Sequence, residues 1–268
     1  MRHSFPRRKI TTNSQPDWLF ILPGLFLIAL LGLPLLALLL RAFGQDFWMY
    51  ALSPSALLAL RLSLLTSSTS VLLSLLAGTP LAYMLVRWEF RGRSLVELLI
   101  DLPIVLPPSV AGLALLIAFG RQGIFGSWLA MFGVSLPFTT TAVILAQTFV
   151  SAPFYVRAAR IGFTEIDPQL EEAAYVEGAT QWQLFRDVML PLAGRALLSG
   201  AILTWARALG EFGATMLFAG NLEGVTQTMP LAIYLGLERG FGVAMALSVV
   251  LVVVSAGLLI LIRKLDRR

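Results

Sequence analysis

The chain has 268 residues, 57% of them hydrophobic and only 13% charged, with a mean hydropathy of +0.82. A soluble domain carries about 25% charged residues, so this composition excludes both a soluble enzyme and a disordered chain, which needs low hydrophobicity and high charge. There is no Cys and a single His, His3, which removes disulfides, thiolate nucleophiles and His-cluster metal sites. The net charge of +5 comes from Arg and Lys at segment ends, as suits loops that touch anionic lipid rather than nucleic acid.

A membrane helix needs about 20 mostly apolar residues, and six stretches qualify: 18–40, 62–86, 98–119, 137–159, 196–219 and 241–262. The fold expected is an all-α integral membrane protein with six transmembrane helices. The first stretch is longer than the apolar part of a signal peptide and ends in no small-residue cleavage pattern, so it reads as a retained anchor. Residues 1–56 are then a cytoplasmic tail, this anchor and an external loop; 57–262 form the core; 263–268 are a second cytoplasmic tail. Arg and Lys set orientation. Arg2, Arg7, Arg8, Lys9, Arg87, Arg91, Arg93, Arg157, Arg160, Arg186, Arg195, Arg263, Lys264, Arg267 and Arg268 fall on one side, against Arg41, Arg61, Arg121 and Arg239 on the other. Both termini are expected in the cytoplasm. Pro23, Pro34, Pro80, Pro103, Pro107, Pro108 and Pro153 interrupt the stretches. Each freed carbonyl needs a neighbour or water, and at each site a tolerated kink and a functional break stay open. The density of proline before Ser109 points to a wall or gate built from Pro107, Pro108 and Ser109.

The one sizeable inside loop is 160–195. Asp167 before Pro168 makes a helix start, Glu171, Glu172, Ala173 and Ala174 continue it, and Gly178 is placed to end it in the left-handed conformation. Thr180 with Gln183 is a capping-box pattern opening a second helix, and Pro191 marks its expected end. Trp182, Phe185, Val188 and Met189 give that second helix an apolar stripe. The stripe rests either on the bundle's own end or in another protein's groove.

Glu172-Ala173-Ala174, three residues on Gly178, nine more, then Val188 and Leu190-Pro191, resembles the EAA motif of ABC-transporter importer permeases; the family usually has Ile at the position of Val188. The resemblance implies the type I importer permease architecture. It also implies that Glu171, Glu172, Ala173, Ala174, Gly178, Ala179, Trp182, Phe185, Val188, Leu190 and Pro191 contact an ATP-hydrolysing partner. Neither Lys9 nor Lys264 follows a glycine, so the chain has no P-loop. It is expected to bind no cofactor and to be no enzyme, with ATP and magnesium on the partner.

The run from Arg207 through Glu211, Phe212, Gly213 and Thr215, then Gly220-Asn221 and Thr226 to Tyr234, is similar to molybdate-type permeases. So are the runs 102–109 and 119–123. That resemblance implies molybdate or tungstate as cargo, with sulfate or thiosulfate as the alternative and a secondary transporter as a further one. The implied assembly is a second copy of the chain, two ATP-binding-cassette ATPase subunits and a periplasmic or extracellular oxyanion-binding protein. The implied setting is the bilayer of a bacterial inner membrane, with no nucleic acid. Arg207 and Glu211 stand one turn apart and read either as pathway or gate residues or as a structural ion pair. Asp101 reads as an interfacial residue or cap. Gly210, Gly213 and Thr215 offer a small-residue face to another backbone, expected to be partly that of the second copy.

Overall fold

A computed structural model describes residues 18–42 and 46–266, and every regular element among them is helical. The basic tail 1–17 and residues 267–268, on which part of the orientation argument rests, lie outside the described residues. Among the described residues five helices are long and apolar enough to cross a membrane: α1 (Trp18–Ala42), α3 (Pro54–Arg87), α7 (Thr140–Thr164), the unbroken stretch Gln181–Leu209 that ends in α10 (Leu190–Leu209), and α13 (Phe241–Asp266). Short α2 (Phe47–Ala51) precedes α3. The third apolar stretch is two helices rather than one, α4 (Arg93–Val105) and α5 (Pro108–Phe119). After it comes α6 (Gly126–Met131).

The break has a local cause. Leu106, extended at ψ 134, precedes Pro107, because the α region is disfavoured before proline. Pro108 then opens α5 at the first turn, where no amide hydrogen is required. Pro23, Pro34, Pro80, Pro103 and Pro153 by contrast sit inside continuous helices. The fifth stretch is interrupted too: α10 stops at Leu209, and α11 (Gly213–Phe218) is a separate helix.

Helix α7 is the hub. Ser63, Ser67, Ser70, Ser74, Gly78 and Ala82 recur on one buried face of α3, and that face meets α7. Small residues let the two backbones approach without a large hydrophobic driving force. A Cβ at Gly78 would come within 2.8 Å of the Tyr155 ring. On the other side of α7, a Cβ at Gly162 would lie 2.5 Å from that of Ala196, and one at Gly200 would lie 2.7 Å from that of Ala158. The serine hydroxyls are spent locally: Ser74 donates to the Ser70 carbonyl at 2.7 Å and Ser70 to the Ile144 carbonyl at 3.1 Å. This satisfies polar groups that lipid cannot.

A second layer packs α5 and α11 on the opposite half of α7, around Ala111, Leu115, Val143, Ala146 and Phe218. The chain then folds inward through 219–228 and returns along α12 (Met229–Arg239), an apolar helix absent from the six stretches, which pairs with α13. Helix α1 packs mainly along α13, and Ala42 at its end also joins Phe47 and Ala51 of α2.

Candidate functional site

Helix α3 ends at Arg87, α7 at Thr164 and α10 begins at Leu190 on the same end of the bundle, here called the basic end. There the segment α8 (Pro168–Val176), α9 (Gln181–Gln183) and a π-helical turn (Leu184–Met189) lies across the bundle. Its local signals act as the sequence requires. The Asp167 carboxylate accepts from the Gln169 amide at 3.0 Å. Gly178 adopts φ +84, and the amides of Gly178 and Ala179 donate to the carbonyls of Tyr175 and Ala174 at 3.0 and 2.9 Å. These two bonds make a Schellman cap, whose left-handed position suits glycine. Thr180 and Gln183 bond reciprocally, amide to side chain in both directions, at 2.8 and 3.3 Å.

Pro191 does not end the second helix. The π turn immediately before it widens the backbone, so the ring finds room and the helix runs from Gln181 into the membrane without a stop. Proline inside a regular α-helix would clash one turn back, and a π bulge is one established way to absorb such a conflict.

The expected stripe divides. Leu184 and Met189 are fully buried, and Phe185 and Val188 pack against the same core as Tyr83 and Phe163, with the Phe185 and Tyr83 rings 4.9 Å apart at 61°. These side chains hold the segment onto its own bundle. Glu172, Ala173, Gly178, Trp182 and Pro191 are exposed, and Glu171, Ala174, Ala179 and Leu190 are half-buried. Arg186 chelates Asp187 on the exposed side at 2.7 and 3.0 Å, holding that carboxyl below its ordinary range.

One residue used in sequence only to orient the chain organises this end. The Arg87 guanidinium pairs with Glu171 and donates to the Phe163 carbonyl at 3.3 Å, with the Met189 sulfur at 3.8 Å. It thereby ties α8 and the π turn to α3 and α7. A cluster of charges nearby joins α4 to α7: Arg157 meets Asp101 at 2.7 Å, and Glu97 meets Arg160 at 2.7 Å and Arg93 at 3.2 Å. Asp101 is thus an ion-pair partner rather than a cap.

At the opposite half the two interrupted stretches meet at their breaks. A Cβ on Gly213 would fall 2.7 Å from that of Pro108, and one on Gly112 would fall 2.8 Å from the Ala214 Cα and oxygen. Gly213 therefore admits its own chain's α5. Glu211 is 1% exposed. One oxygen takes the Arg207 guanidinium at 2.7 Å, and the other accepts the Ala214 amide at 2.9 Å. The pair is structural in form, a carboxylate that caps α11 while its partner arginine sits on the preceding turn. Phe212 packs on Tyr234, their ring centres 5.3 Å apart. Thr215 is buried, while Pro107 and Ser109 are exposed beside the break. The inward loop is fixed by Gln227 donating to Asn221 at 2.9 Å and by the Met229 amide donating to Ser63 at 2.7 Å. Discontinuous helices backed by such loops are where membrane transporters place their pathways.

Residues 70–268 match the family described as the inner membrane component of binding-protein-dependent transport systems. The chain belongs to this family. As a family member it is a multi-pass inner-membrane transport subunit, an ABC importer permease. It is 44% identical over 243 residues to the molybdenum transport system permease protein ModB of Mycobacterium bovis, covering 90% of this chain and 91% of that one. It is 36% identical over 240 residues to the sulfate transport system permease protein CysT of Escherichia coli, covering 88% and 86%. In fold it matches a bacterial alginate ABC transporter solved with a pentasaccharide-bound periplasmic protein, with a TM-score of 0.79 at 21% identity over 94% of this chain and 95% of that one.

Proposed function

We propose that this permease subunit carries molybdate, with tungstate in the same chemical class, through a transporter built from two copies of the chain and two ATPase subunits. An extracytoplasmic oxyanion-binding protein delivers the cargo. The observation that carries the reading is the 44% identity to molybdenum permeases over nine-tenths of the chain, against 36% to a sulfate permease. The interior agrees with delivery by a separate protein. Beside the breaks the Arg207 cation is already paired with the buried Glu211, whose other oxygen accepts the α11 amide, so tight anion capture is not favoured there.

In this reading the basic end faces the cytoplasm. The exposed residues Glu172, Ala173, Gly178, Trp182 and Pro191 sit in or beside a cleft of the ATPase, which holds the ATP and magnesium. The half-buried Glu171, Ala174, Ala179, Phe185, Val188 and Leu190 brace that face from behind. Closure of the ATPase pair pulls α9, and because the helix is continuous through the π turn, α10 moves with it. The break at Leu209–Phe212 and the break at Leu106–Pro107, which touch through Gly213 and Pro108, then part or close as the gate. Nucleotide on a partner thus biases a two-state element in this chain.

The test is uptake of labelled molybdate by the reconstituted complex in vesicles, with tungstate and sulfate as competitors. ATP-dependent uptake displaced by tungstate and weakly by sulfate supports the proposal. Preferential displacement by sulfate replaces the cargo, and uptake driven by an ion gradient without ATP removes the mechanism.

A further inference from the structure

Charge is rare at membrane depth, and where it occurs it faces the bundle interior or water. Arg157 lies seven residues before Thr164, the last residue of α7, about 10 Å along the helix axis. The 25 residues of α7 span about 37 Å, more than the roughly 30 Å hydrocarbon layer. A bilayer crossed by the whole of α7 would enclose Arg157 and its partner Asp101, yet their side chains are 50% and 37% exposed. Arg160 and Glu97, one turn nearer the basic end, are 27% and 30% exposed. Lipid is a poor neighbour for this face.

The same face holds a cavity of about 500 Å³ lined by Arg157, Arg160, Ile161, Thr164 and Glu165. Arg157 donates to Asp101 through Nε alone, and Arg160 to Glu97 through one Nη alone. The carboxylates lie on α4 and hold each guanidinium by one edge, so the remaining N–H groups have no acceptor among the described residues. A guanidinium fixed in this way matches the geometry of a tetrahedral oxyanion. Glu165 lines the cavity too and opposes long residence of an anion. Weak, brief contact is what an exit path requires.

We propose that the α4–α7 face forms the inner vestibule of the pathway, and that Arg157 and Arg160 are its oxyanion-contacting residues on the way out. The identity of the oxyanion rests on the function proposed above; the vestibule and its preference for anions do not. Because the chain has no Cys, a single introduced thiol reports its surroundings without background. Ile161→Cys, in the assembled transporter in inside-out vesicles, is treated with the anionic reagent 2-sulfonatoethyl methanethiosulfonate or its trimethylammonium counterpart. Thr164→Cys, one turn on in the same cavity, repeats the measurement should the first variant fail to assemble. The expected result is labelling by both reagents, with the anionic-to-cationic rate ratio falling about tenfold when Arg157→Gln and Arg160→Gln are added. Molybdate should slow the labelling. Slowing by sulfate but not molybdate keeps the vestibule and overturns the cargo. A thiol that neither reagent reaches, a rate ratio that the two Gln substitutions leave unchanged, or labelling that no oxyanion slows would each overturn the site.

Discussion

Single side chains at this protein's contacts carry consequences out of proportion to their size. Gly213 and Gly112 are glycine because α5 and α11 cross there within van der Waals distance. Replacing either with Val forces the backbones apart, and overpacking of this kind costs about 1–3 kcal/mol. The expected outcome is a lowered thermal midpoint in detergent, while Gly24→Val on α1, where nothing lies within 4 Å, shows no packing clash to relieve. Glu211 makes a sharper case. Glu211→Ala deprives Arg207 of its partner and α11 of its cap. Breaking a buried pair costs 3–5 kcal/mol, discounted here to about 2 kcal/mol because Arg207 is partly exposed. Glu211→Gln keeps an acceptor for the Ala214 amide and should recover part of the loss in the same thermal measurement.

At the scale of elements, the basic-end segment is the informative one. Its start, its glycine stop and its capping box are all legible because each depends on residues within a few positions: Asp167 with Gln169, Gly178 with Ala174 and Tyr175, Thr180 with Gln183. What holds the segment in place is not legible. Arg87 and Glu171 are 84 positions apart, and no local pattern announces that they meet. Arg87→Ala is expected to loosen α8 from α3 and α7, and to lower both ATPase co-purification and transport; Arg87→Lys, which keeps the charge but loses the planar fork, should restore only part. Gly178→Val should be disruptive as well, since a β-branched residue at φ +84 costs about 1–2 kcal/mol, whereas Gly178→Asn is better tolerated. Co-purification of the ATPase reads both variants. The reading of Pro191 as a helix end failed for an equally physical reason: the π turn that absorbs it is a feature of backbone geometry, with no residue signature of its own.

For the whole molecule, the arrangement separates a hub from an appendage. Helices α3, α7 and α10 close on one another through serine, glycine and alanine, whereas none of the apolar window of α1 is buried in the chain. Removal of residues 1–45 should therefore leave the core folded, seen as an unchanged monodisperse elution profile in detergent, with α2, Ala246 and Val249 losing their cover from Leu38, Leu39 and Ala42. Aggregation on that truncation would show that the cover α1 gives to α2 and α13 is needed for the bundle to hold together.

The residues by themselves determined that this chain lives in a bilayer, where its long apolar runs lie, and how the basic-end segment caps its own helices. Each of those follows from composition or from hydrogen bonds a few positions long. Only the tertiary structure decided that the third and fifth stretches break and touch at Pro108 and Gly213, that α12 returns along α13, and that Phe185 and Val188 face inward. It also decided that Arg157 of α7 meets Asp101 of α4. The reason is range: a carboxylate's partner, a glycine's neighbour and the inner face of a helix are set by helices brought together from distant parts of the chain, where apolar periodicity is uniform and carries no address.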